Sequence, residues 1–297
     1  MQTVLESLHP QASRTRTFDA IWWVFVASLS AIILWLNALT MEQVWYVGLR
    51  QWSIWQTTTR LAGLPHLTSQ HFAIYYPAGD RHAALMVQTM ANRSWPTETS
   101  TLGILPRQRL VIVIYPSETT LNRAVHLPDQ ANNIGFEWNG VVDILTPSAW
   151  LAHSAQQSQT FMKVGPVPHE LGHLLLNFKA DGNYPAWFNE GVAQYEDWKV
   201  TGFQWLTVHN KLTGSLYPYS QLSTSFYQLP HQSLAYREAF SNVQYLIMHY
   251  GQHRFHHLLN MLGRGVPFNH ALSLTYGHSG ASLFSQWQSH LKSSAAH

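Results

Sequence analysis

Val167–Pro168–His169–Glu170–Leu171–Gly172–His173–Leu174–Leu175–Leu176 is the stretch on which the fold turns. It contains His-Glu-x-x-His. Residues four apart on a helix share one face, so His169 and His173 can present two imidazole nitrogens to a single metal ion. Glu170 follows the first histidine and flanks such an ion without ligating it, which is where a general base for an attacking water belongs. Pro168 suits a first helical turn, and Leu174, Leu175 and Leu176 supply an apolar side. The chain has 18 His, so the pattern has many chances to arise. Two histidines on a helix are also compatible with ordinary core or surface positions, and the surrounding sequence has to decide.

A catalytic zinc takes three protein ligands and keeps one position open. One way to complete the set is a His six residues after the second, with a Gly midway. Here those positions hold Lys179 and Leu176, so this solution fails. The other is a Glu from a second helix. Asp181–Gly182–Asn183 reads as a turn ending the first helix, and Pro185 opens a second one through Trp187–Phe188–Asn189–Glu190–Gly191–Val192–Ala193. Glu190 lies one turn into it and can reach back to the metal. Its alternative reading is an ordinary first-turn Glu, favoured there by the helix dipole.

His169-Glu170-Leu171-Gly172-His173 followed by Trp187-Phe188-Asn189-Glu190-Gly191-Val192-Ala193 resembles the gluzincin metallopeptidases, and within them the peptidase-MA-like domain related to the membrane alanyl aminopeptidases. The resemblance implies one Zn²⁺ on His169, His173 and Glu190, Glu170 as general base, and a peptide or polypeptide substrate. It also implies an α+β fold of the thermolysin type, with a small mixed sheet carrying an edge strand, then a helical half.

The chain has 297 residues, 11% of them charged, a net charge of +2 with neutral His, and no Cys. That allows one moderately large domain with attachments, excludes a disulfide framework and thiolate ligands, and leaves no nucleic-acid footprint. Ala20 to Leu39 is an uncharged run, long enough for the roughly 20 apolar residues of a membrane span. Trp22 and Trp23 at one end, and Trp35, Trp45 and Tyr46 at the other, fit interfacial belts. The expected organisation is a cytoplasmic tail at 1–19, one transmembrane anchor at 20–40 (a cleaved signal peptide is the alternative, though Asn37–Ala38–Leu39–Thr40 makes a poor cleavage site), a juxtamembrane stalk at 41–65 and the metallopeptidase domain at 66–297, sheet-rich over 66–150 and helical over 151–297. Arg14 and Arg16 put the amino end in the cytoplasm, giving a single-pass protein of the cell membrane with its catalytic part outside. Trp45, Leu49, Trp52 and Trp55 recur at near-helical spacing, compatible with a helix on the membrane surface or with a stalk packed on the domain.

His71–Tyr76 reads as a strand, Arg81–Trp95 as a helix, Leu110–Tyr115 as a buried strand, and Ser117 as a helix cap. Asn139–Gly140 marks a hairpin. The strand before the zinc helix in gluzincins is an edge strand to which a peptide can add, so Gly140, Val141, Val142 and Asp143 are the expected substrate-binding residues. The aminopeptidases carry Gly-x-Met-Glu-Asn there; only Gly140 matches, with an acid of different length at Asp143, whose alternative is a solvated strand residue. Tyr236 shares a helical stripe with Phe240, Val243 and Ile247 and resembles the tyrosine that holds the oxyanion in those enzymes, although Ala239 replaces a Gly and a core role is open to it. His253, His256 and His257 read as a solvated helix face. An intramembrane protease is excluded, because Lys163, Asn177, Lys179 and Asp181 crowd the motif. An inactive zinc-containing binding or scaffold domain is the non-enzymatic alternative.

Overall fold

The computed structural model describes residues 15–129, 131–204 and 211–294, and of residues 15–22, 31–43 and 294 only the backbone. Helix α1 runs unbroken over Thr15–Arg60. The expected tail falls largely outside the described residues. Among those described, no helix is long and apolar enough to cross a membrane. The side chains of residues 20–22 and 31–40, part of the expected anchor, lie outside that description.

Contacts divide the chain after Trp45, and Tyr46–His297 forms one compact unit. Most of the stalk expected at 41–65 falls within this unit. Arg50 ties that segment to it. Its Nη1 donates to the Asn177 backbone carbonyl and to Asn177 Oδ1, both at 3.0 Å, and pairs with Asp181 Oδ1 at 2.9 Å. The guanidinium also lies 4.3 Å from the Phe178 ring centroid. Truncating one partner of so buried a pair costs roughly 3–5 kcal/mol. The outer face of the same segment leaves Leu49, Trp52 and Trp55 exposed, so of the two readings of this helix the packed stalk describes its inner face.

Five strands form one sheet in the order β1 (His66–Thr68), β2 (Phe72–Tyr75), β3 (Leu110–Tyr115), β5 (Val141–Leu145), β4 (Gly135–Trp138). The inner strands β2, β3 and β5 run parallel, and the outer two are antiparallel. Strand alternation sends Leu110, Ile112, Ile114, Val142 and Ile144 to the main core, and Val111, Val113 and Val141 to the opposite face against Ile54 and Leu61. Both faces are covered, which is why Leu110–Tyr115 reads as a continuous apolar run.

Helix α2 (Arg81–Leu102) crosses the main face and continues past Pro96, where the sequence predicts an end at Trp95. Proline removes one backbone hydrogen bond, but Trp95, Glu98, Thr99 and Leu102 are buried and hold the last turns in place. Ser117 caps α3 (Glu118–Ala124), accepting from the Thr120 amide. Asn139 (φ 48°) and Gly140 (φ 90°) both take positive φ, as a two-residue hairpin of the primed type requires. The helical half follows as α4 (Gln157–Val164), α5 (Val167–Ala180), α6 (Ala186–Thr201), α7 (Tyr219–Ser225), α8 (Gln232–Tyr250), α9 (Gln252–Leu262), α10 (Phe268–Tyr276) and α11 (Gly280–Ser294).

Two motif glycines set how closely α5, α6 and α8 approach. A Cβ on Gly172 would stand 3.1 Å from the Ala193 Cα, and one on Gly191 would collide with the Ala239 carbonyl. Helix α5 ends at Asp181 in the left-handed conformation (φ 47°), its amide bonded to the Asn177 carbonyl, and Gly182 completes the turn (φ 75°). Pro185 then precedes α6.

Candidate metal centre

Helix periodicity places His169 and His173 on one face of α5, with their Nε2 atoms 3.1 Å apart. The α5–α6 turn brings back Glu190, whose Oε2 lies 3.5 Å from each Nε2. Ligand atoms bonded at about 2.0–2.1 Å to one tetrahedral ion stand roughly 3.3 Å from one another, so the donor set fits zinc in both chemistry and spacing. Among the described residues this is the one group of three or more His, Asp and Glu that could hold a metal ion. Asn189 Oδ1 accepts from His173 Nδ1–H at 2.9 Å. That bond fixes the tautomer and turns the Nε2 lone pair toward the centre.

Electrostatics agree with the geometry. Burial works to raise the Glu190 pKa, but His173 and His169 overcome it and hold the carboxyl well below the ordinary range. Burial works to lower the His173 pKa, yet Glu190 and Glu170 outweigh it and raise it to about 9. Glu170 is buried beside the cluster, and burial raises its pKa while His169 and His173 partly offset the rise. A carboxyl poised above its usual range is suited to taking up a proton near neutrality.

A cavity of about 820 Å³ opens on this group, lined by His169, Glu170, Gly135, Gln194, Tyr236 and Arg237 among others. Tyr236 lines the same cavity. Tyr227, just before α8, was not anticipated. Its hydroxyl donates to Glu190 Oε1 at 2.8 Å, on the oxygen opposite the histidines. The link spans 37 residues and leaves no local pattern. Burial raises the pKa of both tyrosines, and the Glu190 charge raises it further, so each keeps its proton to donate.

The expected substrate strand is corrected. Gly140 lies in the hairpin turn under Arg50, and Val141, Val142 and Asp143 belong to β5, which is paired on both sides by β3 and β4. Asp143 is neither at an edge nor solvated. It is buried on the α1 side of the sheet, where burial raises its pKa to about 7 against a hydrogen bond from Tyr115. The edge next to the site is β4. A Cβ on Gly135 would stand 2.8 Å from Pro166 and 2.9 Å from Glu170 Cγ, so glycine lets that strand lie directly against Glu170. The hairpin signal identifies two adjacent strands but not which of them is outermost.

Among known proteins, the sequence profile of the Peptidase MA superfamily matches residues 97–293. No curated protein matches the chain. Two similar solved structures are the M1 zinc metallopeptidase of Deinococcus radiodurans and a point mutant of it. They are 14% and 13% identical, with TM-scores of 0.37 and 0.38, each alignment covering 75% of this chain and 50% of the other. The chain thus spans about half the length of the solved structures it matches. With the profile covering well over half of its residues, the chain belongs to the Peptidase MA superfamily.

Proposed function

We propose that the protein is a zinc-dependent peptidase that hydrolyses peptide bonds with Glu170 as general base. The observation that carries this reading is the convergence of His169, His173 and Glu190 within 4.8 Å of one another, beside a buried Glu170 and a cavity. Zinc held by those three residues supplies a Lewis acid that acidifies water and polarises a carbonyl. Glu170 takes the proton of the attacking water and hands it to the leaving nitrogen. Tyr236 donates its hydroxyl proton in a hydrogen bond to the carbonyl oxygen as charge builds there. Asn189 orients His173, and Tyr227 orients Glu190 through its second oxygen. An extended substrate adds to β4, the free edge beside Glu170.

Cleavage of a peptide library, followed with and without a chelator, tests the reading. Metal-dependent cleavage is expected, and its loss in Glu170→Gln with zinc content unchanged separates the base from the ligands. A zinc-loaded protein that cleaves nothing would favour the inactive binding domain.

Membrane attachment through residues 20–40, with the catalytic part outside the cell membrane, belongs to the same proposal. Its support is the uncharged run from Ala20 to Leu39 and its flanking tryptophans. Carbonate extraction of the expressed chain tests it: an anchored protein stays with the membrane fraction, and release into the supernatant would remove the anchor.

A further inference from the structure

We propose that Arg237 seats a carboxylate of the substrate in the cavity beside Glu170, so that the site selects peptides presenting an acidic group there. This inference rests on the peptidase reading and narrows its substrate class. Ser233, Tyr236, Arg237 and Phe240 recur at i, i+3, i+4 and i+7 of α8, one helical face, and all four line the cavity that also holds His169 and Glu170.

Arg237 Nη2 donates to Gln204 Oε1 at 3.1 Å, and its guanidinium carbon lies 4.8 Å from the Phe240 ring centroid. Those contacts fix the plane of the group while engaging only part of a five-donor fork. Among the described residues Arg237 makes no ion pair. Residues 205–210, next to Gln204 in the chain, contain no Asp or Glu. Asp197 also lines the cavity, but its Oδ1 accepts from Thr201 Oγ1 at 3.2 Å rather than from the arginine. Partial burial has already stripped Arg237 of some water, which pushes its pKa down. A half-desolvated guanidinium that makes no ion pair among the described residues binds a carboxylate more strongly than a hydrated one, and its planar fork suits bidentate contact.

That carboxylate can come from an Asp or Glu side chain or from the peptide's own carboxy terminus. Peptides of one sequence separate the sources: Glu or Gln beside the scissile bond, each with a free or an amidated end. kcat/KM is measured for the wild type, Arg237→Gln and Arg237→Lys. The wild type is expected to favour a carboxylate form by about tenfold or more, as for a hydrogen bond to a charged group. The preference should vanish in Arg237→Gln and shrink in Arg237→Lys, which keeps the charge but loses the fork. The Glu/Gln pair or the free/amide pair in which it vanishes names the source. Equal rates on all four peptides in the wild type, or a wild-type preference surviving in both variants, would overturn the proposal. Should Arg237→Gln not fold, an undiminished preference in Arg237→Lys overturns it alone. Binding of the same labelled peptides to zinc-loaded Glu170→Gln separates this claim from the peptidase reading. Cleavage without carboxylate discrimination sinks the arginine site and spares the peptidase. Carboxylate-dependent binding without wild-type cleavage supports the site and sinks the peptidase, and no carboxylate-dependent binding at all sinks the site.

Discussion

Glu170, Asn189 and Tyr236 surround the proposed ligands in three different ways, and each separates from the others by what its loss changes. Glu170→Gln is expected to retain zinc and lose about 10²–10⁴-fold in kcat, the range of a positioned general base. Tyr236→Phe should lower kcat by about 10²–10³-fold with KM nearly unchanged, as removal of an oxyanion donor does. Asn189→Ala should instead weaken zinc binding by about 10–100-fold, since the His173 ring loses the acceptor that fixes its tautomer. A chelator titration reads this last effect, and unchanged zinc affinity would remove Asn189 from the support of the centre. The residue scale is also where the sequence was most legible. His169, Glu170, His173 and Glu190 sit in two local spacings whose geometry is dictated by one helix each and a short turn. Asn189 stands in the second motif, but nothing in its spacing shows that its side chain reaches His173. Tyr227 reaches the site only through the course of the chain between α6 and α8.

Among the elements, sheet order and helix contacts decide what local pattern cannot. The Asn139–Gly140 signal finds the hairpin, yet whether β4 or β5 pairs with β3 depends on the rest of the sheet, and Asp143 accordingly turns up buried. Its folded pKa of about 7 lies above the ordinary carboxylate value. The stabilisation tied to its protonated form is therefore complete below about pH 4 and is lost as pH rises through 7. Asp143→Asn should gain on the wild type between pH 5 and pH 8, by several degrees in Tm. A pH-independent difference would contradict the buried placement. Glu98 on α2 and Glu196 on α6 behave alike. Both are fully buried. Burial raises the pKa of each, and the Glu196 charge raises that of Glu98 further. The sign is the same as for Asp143, so Glu98→Gln is expected to stabilise the α2–α6 contact increasingly as pH rises, checked by thermal unfolding across the same range. Neither acid was legible as buried, because Glu on a helix reads as solvent-facing until its neighbour is known.

For the whole molecule, the His169, His173 and Glu190 group lies between the sheet and the helical half, with the Arg50 turn of α1 fastened to the end of α5. Arg50 bonds Asn177 and Asp181, and Asn177 Nδ2 donates to Glu137 on the edge strand at 3.3 Å. One buried network therefore joins α1, α5 and β4. The sequence leaves open which face of the helix continuing through residue 60 is covered, because its tryptophans recur on a face that stays exposed. Arg50→Ala should cost roughly 3–5 kcal/mol of unfolding free energy. Zinc binding should raise Tm with the logarithm of free metal once that exceeds Kd, and lowering pH should release zinc because neutral imidazoles are the ligands. The measurement that bears most directly on the centre is zinc per chain in purified wild type, His173→Ala, Glu190→Ala and Glu170→Gln. One zinc is expected in the wild type and in Glu170→Gln, with little in the other two. Equal zinc in all four proteins, or none in the wild type, would contradict the arrangement of two imidazoles and one carboxylate on a single ion.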